Sequence, residues 1–464
     1  MPHQPPTSMD RSTAGRARTP NRALAAAIRE TGRTYQSLAT RVNALADRRG
    51  QDTGYDKSSV SRWISGTVPR PETVWLIADV LTELLGWPVQ PHDIGFRPYD
   101  SDTPVAARSL LCHRDLADAL GTLAELADQD GRHLGACPAA QGVLLAPQCG
   151  WLLRVEQWPT APVLPEQPGG RVGMVHSMAS AFDQMDNRFG GQGVRSSILA
   201  FLNEVVPLLR RGVAPGERAR LFTGAARLGA VAGWSSYDSG EYGLAQRYMV
   251  QALRLCREGG DRVLAGQILA GLSHLATSLG YPQDGVDLAH AGLRAARDAG
   301  SPLGLMRVHA MVARAMAARG HRSEALRALR AAEAALGQSR GAEQESAWVQ
   351  HLDPHYWEAE AAFVFRDLGQ ARQAEEAAER SARANGDRRR RQAISQSVLA
   401  TACLQQNRLD EALAAASTAL EYLEGVCSVR SVQALRDFCR RLDPVGDEPA
   451  VRAFLRAARP VLGQ

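Results

Sequence analysis

The chain has 464 residues, 45% of them hydrophobic, which is enough for two or three folded units with cores of their own. Its formal charge is only +5, but residues 1–70 carry 12 Lys+Arg against 5 Asp+Glu while the remainder is slightly acidic, so a polyanion is expected at the N-terminal end and a uniformly basic coat is excluded. No apolar run approaches the roughly 20 residues that cross a bilayer, and no apolar leader accompanies Arg11, Arg16 and Arg18, which points to a cytoplasmic protein with no membrane partner.

Residues 1–20 are rich in Pro, Ser, Thr and Arg without periodicity and read as a disordered basic arm. From Asn21 to about residue 97 a compact helical bundle is expected. NRALAAAIRETG gives an amphipathic helix bearing Leu24 and Ile28 and stopping at Gly32. Thr34 is placed to cap a second helix that buries Leu38, Ala39 and Val42. A polar stretch, 44–55, comes next and reads either as a wing against a nucleic-acid backbone or as a plain loop. Asp56 caps a third helix, KSSVSRWISG, with Val60, Trp63 and Ile64 on one face, and ETVWLIADVLTELLG closes the core.

The run LA…SVSRWISG…PRP resembles the Xre, or phage-repressor, type of helix-turn-helix, with Leu38, Ala39, Val60, Trp63, Gly66 and Pro71 at the places that pattern uses. The interval from Ala39 to Val60 is longer than the pattern's, so the turn between its helices is expanded. The resemblance implies a partner, double-stranded DNA, and a likeness to dimeric regulators. Physically, a helix fits the major groove and its early residues reach base edges, while the preceding helix and exit loop touch phosphates. Lys57, Ser58, Ser59, Ser61 and Arg62 are the candidates for lining the groove, and Thr34, Tyr35, Gln36 and Arg70 for phosphate contacts. Lys57 is the single lysine of the chain.

Residues 98–171 read as a helical connector, RSLLCHRDLADALGTLAEL, ending in a Pro/Gly linker. His113, His133, Cys137 and Cys149 lie here, but with no close cysteine pair a metal site is not expected. The seven cysteines (Cys112, Cys137, Cys149, Cys256, Cys403, Cys427, Cys439) are odd in number and scattered, so reduced thiols are expected throughout.

From 172 to 464 the pattern is continuously helical, and five segments align on Gly240, Gly280, Gly320, Gly369 and Asn407. Five residues further on, Ala245, Gly285, Ala325, Ala374 and Ala412 coincide. A left-handed turn residue followed by a small residue is what two closely packed antiparallel helices need. These segments resemble tetratricopeptide repeats, though spacings of 40, 40, 49 and 38 exceed the usual ~34. The expected fold class is therefore all-α: a helix-turn-helix bundle followed by a tetratricopeptide-like α-solenoid, with SVQALRDFCRRL and AVRAFLRAARPVL as its terminal cap. The phrases RFGGQG, AGWSSYDSG and LAQRYMVQALRL are similar to those of a class of actinomycete transcriptional regulators.

In that repeat family the first helix of each pair lines the concave face, which here implies Arg227, Trp234, Tyr237, Gln267, His274, Arg307, Arg314, Tyr356, Phe363 and Arg366. Basic and aromatic groups together suit a signalling peptide, a carboxylate or a phosphorylated small molecule. Trp234 and Phe363 serve equally well as core fillers, His274 as a satisfied interior residue, and the DRRRR run at 387–391 as a solvated helix start. The expected function is a sequence-specific DNA-binding regulator, a homodimer whose repeats dimerise or sense. The alternative is an interaction scaffold without specific DNA binding. No Gly-rich phosphate loop, HExxH or nucleophile elbow suggests an enzyme, and no cofactor is expected.

Overall fold

A computed structural model describes residues 20–48, 51–85, 89, 94–96, 104–131, 137–145, 149–159, 170–211, 213–297, 299–339, 341, 345–346, 348–383, 388–426 and 428–463. All regular structure among them is helical. The expected arm at 1–20, Pro20 aside, and the Pro/Gly stretch at 160–169 lie outside the described residues. The chain divides into two compact units, Met1–Thr103 and Pro104–Gln464.

In the first unit α1 (Arg22–Glu30), α2 (Tyr35–Arg48), α3 (Lys57–Ile64) and α4 (Pro71–Leu85) surround one core. Leu24, Ile28, Leu38, Val42, Val60, Trp63, Ile77 and Leu81 are all buried in it. Asn21 Oδ1 accepts from Leu24 N (3.0 Å) and Thr34 Oγ1 from Ser37 N (3.2 Å), so both early helices begin on side-chain caps. The stretch after residue 44 is neither wing nor free loop at its start: α2 continues to Arg48, and residues 53–55 fold back on it. Asn43 holds that return, donating to Tyr55 O (2.8 Å) and accepting from Tyr55 N and Thr53 Oγ1 (both 3.0 Å). Tyr55 then meets Trp63 edge-on and bonds Thr73 through its hydroxyl (2.6 Å), tying the expanded turn to α3 and α4.

The second unit is built from helical hairpins: α9 (Pro215–Asp238) with α10 (Tyr242–Gly259), α11 (Arg262–Ser278) with α12 (Pro282–Ala296), α13 (Pro302–Ala318) with α14 (Arg322–Gly337), α15 (Pro354–Asp367) with α16 (Ala371–Ala382), and α17 (Arg389–Gln405) with α18 (Leu409–Leu423). Gly240, Gly280, Gly320, Gly369 and Asn407 all have positive φ, so the aligned turn residues do share one backbone state. Ala245, Ala325, Ala374 and Ala412 are fully buried where the paired helices touch.

The second hairpin has Gly285 at this place for a visible reason: a Cβ there would lie 2.2 Å from Thr277 Oγ1 and 3.2 Å from Ser273 O. Thr277 cannot step aside without giving up its own bond to Ser273 O (2.9 Å). Gly285→Ala is expected to destabilise the unit by about 1–2 kcal/mol in spite of alanine's better helix propensity. Adding Thr277→Ala should recover that loss, which thermal melts of the single and double variants would measure.

Ahead of the hairpins lie the short α5 (Val105–Arg108), α6 (Leu116–Gly131), α7 (Gly170–Phe189) and α8 (Arg195–Arg211); α6 packs on α8 and α10, and α7 on α9. The irregular chain around α5 is stapled by one polar row of α10. Arg247 donates to Ala106 O (2.7 Å), Gln251 to Ser109 O (2.7 Å) and Arg254 to His113 O (2.7 Å), a spacing of one helix face. Here the expectation of reduced thiols is corrected: Cys112 and Cys149, both buried, form a disulfide with Cα atoms 5.2 Å apart. Their separation of 37 residues is closed by the packing of α6 and its flanking loops, which no sequence spacing reveals. Cys137, Cys256, Cys403 and Cys439 are free. His113 is occupied by Arg108 O and Thr122 Oγ1 (both 3.2 Å). His133 and Cys427 lie outside the described residues.

Beyond the last hairpin come α19 (Val429–Arg441) and α20 (Pro449–Leu462). α20 covers α18 as a cap does, but α19 packs on α17 and reaches α9, while α17 also meets α7. The repeats therefore close on themselves around a central cavity.

Candidate functional site

Two surfaces can carry function, one in each unit. On the first, Asp56 sets α3 with a capping box: its carboxylate accepts from Ser59 N and Ser59 Oγ (both 2.8 Å), bonds that hold it below the ordinary carboxylate range. Gln36 Oε1 accepts from Lys57 N (3.2 Å), so the start of α2 is fastened to the start of α3. At the far end Gly66, with φ +96°, lets Thr67 N reach back to Arg62 O (2.9 Å) and closes the helix.

This leaves Lys57, Ser58, Ser61 and Arg62 exposed on α3; Thr34, Gln36 and Arg70 are exposed as well, and Tyr35 is half-buried against the core. Ser59 is a correction. It is only 6% exposed, and its hydroxyl is committed to Asp56 and to Arg62 Nη2 (3.3 Å), so it fixes the helix and cannot touch a base.

The second surface is the central cavity of about 1410 Å³, which is open to solvent. All ten residues expected on the concave face line it, because α9, α11, α13 and α15 each turn the same side inward. Arginine and aromatic side chains alternate around the wall. Trp234 lies under both Arg307 (5.3 Å to the ring centroid) and Arg430 (5.0 Å), Phe363 under Arg314 (4.0 Å) and Arg366 (4.8 Å), and Trp348 under Arg227 (4.3 Å). Trp234 and Phe363 are thus wall residues as well as packing residues.

Among the described residues eleven arginines and four carboxylates line the cavity, so its wall is net positive. The two imidazoles register that field. Burial drives His274 well below its ordinary value, and Arg314, Arg430 and Arg307 push it further. Burial likewise lowers His351 to about 4; Asp183 opposes the shift, and Arg307, Arg391 and Arg388 add to it. Both rings are neutral at pH 7 and available as hydrogen-bonding groups without adding charge.

Residues 24–97, which contain the α3 surface, match a family model described as the SP15 N-terminal domain. No curated protein matches the chain.

Several cavity residues escaped the sequence. The arginine run read as a solvated helix start is largely an inward wall: Arg388 and Arg391 pair with Asp353 (2.5 and 2.9 Å), and Arg390 with Asp186 (3.1 Å) and Asp238 (2.6 Å). Arg389 alone faces away, bonding Glu421 O and Tyr422 O. Asp387 lies outside the described residues. Trp348 and His351 come from the segment between α14 and α15, the place where the repeat spacing stretches to 49, so that excess length was the available signal. Arg430 comes from α19, whose sequence marks it only as part of a cap.

Proposed function

We propose that this chain is a DNA-binding transcriptional regulator that reads duplex DNA with α3, acts as a homodimer, and takes its signal in the cavity of the second unit. The observation that carries the reading is the exposed row Lys57, Ser58, Ser61 and Arg62 on a helix held at both ends, with Gln36 fastened to its start. A capped helix eight residues long is the right size for the major groove. The row offers a cation at each end for guanine or phosphate and hydroxyls between them. No helix among the described residues is long and apolar enough to cross a membrane.

Binding of the purified protein to fragments of its own promoter region, at increasing salt, tests the reading. With about six phosphate contacts the affinity should fall roughly 1000-fold between 50 and 200 mM salt, and a footprint with two half-sites should be protected. A protein that captures a protein partner yet leaves no footprint on any genomic fragment is the scaffold and not the regulator.

A further inference from the structure

We propose that the cavity of the second unit is the binding site of a small polyanionic molecule carrying phosphate or carboxylate groups, with Arg307 as its anchor. The proposal rests on the reading of this unit as a sensor and names the class of its signal.

The cavity arginines differ in how far they are already satisfied. Arg227 is bonded to Ser180 and Asp183, Arg314 to Glu360, Arg391 to Asp353, and Arg430 to Asp238. Arg307 has no carboxylate partner among the described residues. It is 8% exposed, its Nη1 donates only to the amide oxygen of Gln267 (3.2 Å), and its Nε is buried without any acceptor. A guanidinium has five N–H donors in a flat fork, and leaving one desolvated and uncompensated is costly unless an anion arrives.

The surroundings narrow the class of that anion. Arg307 and Arg430 both lie over Trp234, while Tyr356 and the neutral His351 line the same cavity. A ligand seated there meets a cationic fork set among aromatic side chains, with the uncharged imidazole of His351 in the same cavity. Organic phosphates and polycarboxylates both satisfy that chemistry. A hydrophobic or cationic molecule would leave Arg307 as it is. The closure of the repeats by α19 on α9 suits a compact ligand held inside the ring.

Calorimetric titration of the full chain tests this with three probes: a purine nucleoside triphosphate, citrate, and the uncharged nucleoside. At least one of the two anions should bind about tenfold or more tightly than the nucleoside, and which of them does so distinguishes phosphate from carboxylate recognition. Arg307→Gln should weaken that binding roughly 10- to 100-fold. The same variant without ligand should melt no lower than the parent, because an unpaired buried charge has been removed; a structural arginine would instead lower the melt. Lys57→Ala with Arg62→Ala should leave probe binding intact, excluding capture by the basic row of α3. Equal affinity for all three probes, or full affinity in Arg307→Gln, overturns the proposal. DNA affinity measured with and without the bound anion is a separate readout. If the anion binds through Arg307 and DNA affinity does not change, the anion site stands and the sensing role fails.

Discussion

Replacing Asp238 by asparagine is expected to lower the melting temperature of the second unit by about 4 °C, through a loss of about 3 kcal/mol. Asp238 is 1% exposed, at the C-terminal end of α9, yet three groups converge on it from the far end of the chain: Arg430 Nε at 2.5 Å, Arg390 Nη1 at 2.6 Å and Ser428 Oγ at 2.8 Å. Burial alone would raise its carboxyl, but Arg430 and Arg390 outweigh that and hold it below the ordinary range. An asparagine keeps a hydrogen-bond acceptor and removes the charge, which leaves Arg430 facing the cavity without its counter-ion. Arg390 suffers less, since Asp186 and Asn187 still hold it. Because Ser428 also caps α19, hydrogen exchange should rise first in α19, the helix that closes the ring. Combining Asp238→Asn with Arg430→Met should return much of the stability, as removal of both partners spares the orphaned charge. The pH dependence has a definite sign. A carboxyl depressed in the folded state stabilises it above the unfolded value of about 4 and loses that contribution as the pH falls further, so the variant should be the less acid-sensitive of the two. Asp186, which burial drives upward against the pull of Arg390, works in the opposite direction and keeps the net effect modest.

At that network the legibility of the sequence ends. The turn residues from Gly240 to Asn407 were legible because a left-handed residue and a small neighbour are local requirements, repeated five times. The inner faces of α9, α11, α13 and α15 came from the same register. An arginine on the polar face of a helix carries no such mark. Arg390 reads the same whether it meets water or an aspartate 204 residues earlier, and only the curvature of the completed solenoid decides between them. The Cys112–Cys149 bond was hidden for the same reason, being closed by tertiary packing. In the first unit the helix ends were readable from Thr34, Asp56 and Gly66, whereas the clamp of Asn43 on residues 53–55 was not, since an asparagine near a helix end has many equivalent uses. Ser59 departs from expectation by a narrow margin. It sits at the edge of the exposed arc, and the capping box turns its hydroxyl inward.

Arginine and lysine at the two ends of α3 should separate specificity from attachment. Against a duplex selected by the parent protein from random sequence, Arg62→Ala is expected to cost about 1–3 kcal/mol, or roughly 10- to 100-fold in affinity, and to relax the preference at one base position. Lys57 stands at the first residue of the helix, where the helix dipole already favours phosphate, so Lys57→Ala should weaken all duplexes alike and reduce the salt slope by about one. Both side chains are exposed, and neither loss should change the melting of the first unit by more than about 0.5 kcal/mol. Ser59→Ala makes the contrast. It breaks the capping box and should lower stability by about 1 kcal/mol while base preference stays as it was. Arg62 donates weakly to Ser59 Oγ, so the serine variant also frees that guanidinium, and any change in DNA affinity it causes should be smaller than that of Arg62→Ala. Unchanged affinity and unchanged salt slope in the double variant Lys57→Ala/Arg62→Ala would mean that α3 does not face DNA, whatever the rest of the bundle contacts.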